Sequence, residues 1–112
     1  MWKKRKNETL GLFVPKNAIQ EGNVTTEGRI RIDGHFSGKV FSESQLAIGK
    51  DGLFEGDADV FSAEIAGFFR GTLRVQNKLI ILKTGSFSGK LDAPIAKIEE
   101  GSQIEGEIRI KK

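Results

Sequence analysis

Apolar residues alternate with residues of the opposite face through most of this chain. Ile30 and Ile32, Leu46 and Ile48, Leu73 and Val75, and Ile108 and Ile110 are each separated by one residue, the period-two pattern of a strand. No stretch carries an apolar stripe at i, i+3, i+4 and i+7 for more than a turn, and only Pro15 and Pro94 interrupt the chain. The pattern predicts short strands, with helix minor or absent.

Glycines punctuate these strands at regular intervals. The unit Gly-x-Phe-x-Gly-x-apolar occurs at Gly34–Val40, Gly52–Ala58, Gly67–Leu73 and Gly85–Leu91, and degenerately at Gly101–Ile108. Its second glycines fall at positions 38, 56, 71, 89 and 106, so the separations are 18, 15, 18 and 17 residues. Gly22 is placed to open the series one turn earlier. A fixed period of this size is the mark of a solenoid. A β-sandwich would need longer strands joined by Asn-Gly or Asp-Gly hairpins. The expected fold is therefore all-β: a single-domain parallel β-helix of about five to six turns, roughly 4.8 Å each. It should span residues 15–110, with a flexible tail over 1–14 and a short tail at 111–112. Phe36, Phe54, Phe69 and Phe87 keep one offset from their glycines and should form one interior column.

Such a rod has two open ends. Natural solenoids cover theirs with a helix or a polar repeat, and this sequence offers neither. The last turn alternates apolar residues almost to the final residue, with Ile104, Ile108 and Ile110 followed by Lys111 and Lys112. An uncapped β-stack is a polymerisation surface, so Ile104, Ile108 and Ile110 at one end, and Ile19 and Val24 at the other, are the expected self-assembly residues.

Charge changes the picture only when it is located. The net charge of +3 includes Lys3, Lys4, Arg5, Lys6, Lys111 and Lys112, six of eighteen basic residues, leaving twelve against fifteen acids. The body is mildly acidic and its basic residues alternate with acids, which excludes a nucleic-acid partner. No apolar run approaches the ~20 residues of a membrane span, and the charged N-terminus leads into Asn7-Glu8-Thr9 rather than a signal peptide. The absence of cysteine fits a reducing, cytoplasmic setting.

Chemistry is sparse. His35 is the single histidine and cannot build a multi-histidine metal site alone. Gly85–Leu91 is one residue short of a phosphate loop and lacks the hydroxyl after Lys90. Lys83-Thr84-Gly85 matches a β-lactamase fragment without its partner motifs. Asp57 and Asp59 share an outward strand face, where solvation is the simpler account. No catalytic residue, metal site or cofactor is expected, and the chain reads as a non-enzyme.

From Ile19 to Ile110 the sequence resembles the bactofilin family. The stretches that carry the resemblance are Glu27–Gly38, Ala47-Ile48-Gly49 with Phe54-Glu55-Gly56, and Ile98–Gly106. The resemblance implies a right-handed, roughly triangular β-helix. It also implies assembly end to end into nucleotide-independent, non-polar filaments at the inner membrane, linked to cell shape or cell-wall organisation. Many members begin with Met, a bulky apolar residue and lysines, and Met1, Trp2, Lys3, Lys4, Arg5 and Lys6 look like that membrane-targeting peptide. A Trp beside four cations suits anionic lipid. Where the family tends to place a phenylalanine in the last turn, this chain has Ile104. The expected partners are further copies of the chain and anionic lipid, with cell-wall enzymes or membrane proteins as further candidates. The location expected is cytoplasmic, peripheral at the inner membrane face. The alternative is a β-helical adaptor, monomeric or oligomeric. A hexapeptide-repeat acyltransferase is the remote one, because its six-residue period is absent.

Overall fold

The computed structural model describes residues 10–110. Ten strands follow one another: β1 (Leu10–Val14), β2 (Ile19–Thr26), β3 (Arg29–Ile32), β4 (His35–Ile48), β5 (Leu53–Ile65), β6 (Phe68–Val75), β7 (Lys78–Ile81), β8 (Ser86–Ala93), β9 (Ile95–Ile98) and β10 (Gln103–Ile110). Every pairing is parallel, and no helix occurs among the described residues. Parallel neighbours without crossover helices require a chain that coils, each turn lying on the one before.

Each of the roughly six turns supplies a long arm bent at its glycine and a short arm. The long arms stack in the order β2, the first half of β4, the first half of β5, β6, β8, β10. The short arms stack as β1, β3, the second halves of β4 and β5, β7, β9. The bend divides the long arm, so the coil is three-sided.

Variation in corner length explains the uneven glycine spacing. Four residues join short arm to long arm at 49–52 and at 82–85, but only two at 33–34 and 66–67. Where β4 carries one residue more than β5 between Ser42 and Gln45, both buried serines are satisfied. The Ser42 hydroxyl donates to the Gly28 carbonyl at 2.7 Å and accepts the Ser44 N–H at 3.0 Å.

The coil begins earlier than the expected boundary at residue 15. Leu12 and Val14 in β1 lie in register with Ile30 and Ile32 and complete two interior columns, so the expected tail over 1–14 yields its last five residues to a strand. The physical cause is the same alternation that marks every later turn.

Five interior columns fill the core. In the first, Phe36, Phe54, Phe69 and Phe87 stack with centroids 5.3, 4.8 and 5.2 Å apart and planes within 17° of parallel. The in-register pairing of the turns imposes this spacing on the rings. Phe69 has a ring on both sides, so Phe69→Ala is expected to lower stability by about 3–5 kcal/mol. Chemical denaturation measures this, and a loss under about 1 kcal/mol would mean that the column does not hold the turns together.

Candidate self-assembly surfaces

The coil leaves strand edges and column ends exposed at two places. Among the described residues, at the C-terminal end β10 pairs only with β8 and β9 only with β7, so one edge of each is open. The residues that end the five columns there are Ile104 over Phe87, Ile108 over Leu91, Ile110 over Ala93, Ala96 over Leu79 and Ile98 over Ile81. All five are apolar. Ile98, Ile108 and Ile110 are 43%, 37% and 46% exposed although they belong to core columns. An open parallel edge backed by an apolar layer is what a further β-layer would cover.

The N-terminal end differs. Its column ends are Leu12, Val14, Gln20, Val24 and Thr26. Gln20 stands where every described turn up to β8 has phenylalanine, and Thr26 stands where β5 and β6 have valine. The Thr26 hydroxyl accepts the Gly28 N–H at 3.0 Å. β1 runs close above it: a Cβ on Gly11 would lie 2.2 Å from the Thr26 Oγ1. This end is therefore partly covered by its own chain and partly polar.

The expected end residues divide accordingly. Ile104, Ile108 and Ile110 lie together in the C-terminal layer, and Val24 lies in the N-terminal one, half-buried. Ile19 does not join it. It is in register with His35 rather than Phe36, so it points outward beside the end, 74% exposed. Met1, Trp2, Lys3, Lys4, Arg5 and Lys6 lie outside the described residues, as do Lys111 and Lys112.

The glycines hold the bend that makes the ends alike in outline. Gly22, Gly38, Gly56, Gly71, Gly89 and Gly106 have φ between 119° and 138°, a backbone region that side chains bearing a Cβ avoid. From Gly38 onward each lies so close to the glycine before it that an added Cβ would meet that residue's carbonyl oxygen within 2.0 Å. Among the described residues Gly22 has nothing within 4 Å in that direction, because the direction leads off the N-terminal end.

The polar residues singled out from sequence are part of the coil's surface. His35 Nε2 lies 2.8 Å from Glu55 Oε1, and Arg70 approaches Glu55 Oε2 at 3.8 Å. All three side chains are more than a third exposed, which makes the cluster a screened surface network of small energetic weight. Asp57 and Asp59 stand in ladders between Lys39 and Thr72 and between Phe41 and Arg74. Ser86–Leu91, within the segment that superficially resembles a phosphate loop, is strand β8 with Gly89 at its bend.

A family model described as bactofilin, polymer-forming cytoskeletal, matches residues 12–109. No curated protein and no solved structure gave a match.

Proposed function

Because the chain belongs to the bactofilin family of polymer-forming cytoskeletal proteins, its role is structural, and we propose that it polymerises end to end through its terminal turns, without nucleotide. The observation that carries this reading is the wholly apolar C-terminal layer. Fully burying an isoleucine side chain contributes roughly 1.5–3 kcal/mol, of which less than half remains to be gained at Ile98, Ile108 and Ile110, each already more than half covered. Three of them on each copy, together with paired strand edges, can offset the cost of association.

The chemistry of the two ends favours like-to-like contacts and hence a non-polar filament. Continuing the coil head to tail, with Gly106 over Gly22, would bury Gln20 under Ile104 and Thr26 under Ile110, and set Glu105 over Glu21. Buried amides and stacked like charges both cost free energy. Joining two C-terminal ends brings apolar layers together and buries no amide against them. Joining two N-terminal ends lets the Gln20 amides face one another, where each can donate and accept.

The filament would lie in the cytoplasm at the inner face of the membrane. Met1–Lys6 would attach it to anionic lipid, and its task would be cell shape or cell-wall organisation, with wall enzymes or membrane proteins as passengers. The test is negative-stain electron microscopy of the purified protein without nucleotide. Filaments are expected. Monodisperse small particles across salt and pH would refute polymerisation and favour an adaptor that uses its rod faces.

A further inference from the structure

Sorting the charged residues by side of the coil reveals a separation that net charge conceals. Along the short arms the outward residues form two columns, Phe13–Arg31–Ala47–Glu64–Ile80–Lys97 and Arg29–Gln45–Ser62–Lys78–Ile95. They carry four basic residues, Arg29, Arg31, Lys78 and Lys97, against one acid, Glu64. The side after the glycine bend is balanced: Lys39, Arg74, Lys90 and Arg109 against Asp57, Asp59, Asp92 and Glu107. The side before the bend is acidic, with Arg70 against Glu21, Glu55 and Glu105. The outward strand positions of the three sides thus differ by charge, although they belong to a body with more acids than bases.

The basic side also carries exposed apolar residues. Phe13, in register with Arg31, is 48% exposed, and Ile95, in register with Lys78, is 53% exposed. Each end of this face therefore pairs an outward apolar side chain with cations. Asp33 at the rim holds Arg31 at 2.9 Å, which leaves the guanidinium at the edge of the face. Between the clusters, Ala47 and Gln45 leave a shallow groove of about 460 Å³ bordered by Phe13, Arg29 and Arg31. Cations on flexible stems beside aromatic and aliphatic groups suit a surface of anionic headgroups over hydrocarbon.

The chain's own path leads to the same side. β1 enters the coil on the short-arm side, so the chain that carries Trp2 and four basic residues joins the coil there. In a like-to-like filament whose two-fold axes are parallel, every second copy presents this side in the same direction, and weak contacts would add.

We propose that the short-arm side of the coil is the side laid on the membrane, with Arg29, Arg31, Lys78 and Lys97 contacting anionic phospholipid headgroups. This deepens the membrane reading of the N-terminal residues: it fixes which way a filament faces and leaves the other two sides free for partners. The acidic side before the bend is turned away, as like charge requires.

Sedimentation of the full chain with vesicles of phosphatidylglycerol and phosphatidylcholine tests this, with pure phosphatidylcholine vesicles as the neutral comparison. Three variants are needed: Arg29→Gln, Arg31→Gln, Lys78→Gln, Lys97→Gln on the proposed side; Lys39→Gln, Arg70→Gln, Arg74→Gln, Lys90→Gln, equal in charge, elsewhere; and Trp2→Ala with Lys3, Lys4, Arg5 and Lys6 changed to Ser. All substitutions on the coil are on outward positions, and retained filaments by electron microscopy show that the coil is intact. The proposed-side variant should weaken binding to anionic vesicles about tenfold or more with the N-terminal residues unchanged, and the charge-matched variant about threefold at most. Binding should weaken with salt. Equal losses in the two four-residue variants would overturn the proposal, as would full retention by the proposed-side variant. Loss only in the Trp2 variant leaves the N-terminal reading standing and the face refuted. Loss only in the proposed-side variant does the reverse. A parent chain that sediments with neither vesicle overturns both.

Discussion

Gly71→Ala is expected to unfold the coil, whereas Gly22→Ala leaves it folded. The two glycines have nearly the same backbone, φ +132° and +133°, so the conformational cost of a Cβ, about 1–3 kcal/mol, is common to both. They differ in what the new atom meets. At Gly71 it would lie 1.9 Å from the Gly56 carbonyl oxygen and 2.8 Å from its carbon. Those are backbone atoms, fixed by strand pairing on either side, and cannot swing away as a side chain would. Separating the turns would break the ladder between β5 and β6 and open the ring contact between Phe54 and Phe69. A loss above ~4 kcal/mol is expected, a large share of the stability of a domain this small. At Gly22 no neighbouring atom of the described residues lies within 4 Å, so only the conformational cost remains. Circular dichroism with denaturant titration of both variants measures the contrast. Equal stability would show that backbone strain alone explains the glycine series and that the close approach of the turns is of no consequence. The Gly22 variant also probes assembly, since its added methyl projects from the N-terminal end.

The fold was legible in the sequence to the extent that one offset repeats. Phe36, Phe54, Phe69 and Phe87 each stand two residues before a bend glycine, and that constancy is what puts them in one column. The same offset places Gln20 in the phenylalanine column and Ile19 outside it, counted back from Gly22. Hydrophobicity alone ranks Ile19 as an end residue; its register makes it an outward one. β1 was obscured because Gly11 and Pro15 bracket its two alternating residues, Leu12 and Val14, and no bend glycine precedes them. The basic side was not visible in composition, because a column reads across turns. Arg31 and Lys97 are separated by three intervening turns, and only the register of every corner, two residues here and four there, aligns them.

Which ends meet is decided by a pair of variants, one at each end. Ile104→Arg sets a guanidinium over Phe87 in the apolar layer, and Gln20→Arg sets one over Phe36 at the opposite end. Each site lies on a terminal turn, so four or more inner turns keep their pairing and the coil stays folded. Burying an unpaired charge in a contact costs several kcal/mol, and a two-fold contact buries two. Association through the altered end should fall by about a thousandfold or more. In a non-polar filament every chain makes one contact through each end with its like. Ile104→Arg then leaves the N-terminal contact intact and Gln20→Arg leaves the C-terminal one, so each variant stops at dimers. In a head-to-tail filament each contact uses both ends, and either variant yields monomers. Analytical ultracentrifugation distinguishes these outcomes. Because the C-terminal layer is apolar throughout while the N-terminal one contains Gln20 and Thr26, the dimer left by Gln20→Arg should survive dilution further than that left by Ile104→Arg. The opposite order would mean that the apolar layer is not the stronger contact. Monomers from both would replace the like-to-like arrangement with a polar one.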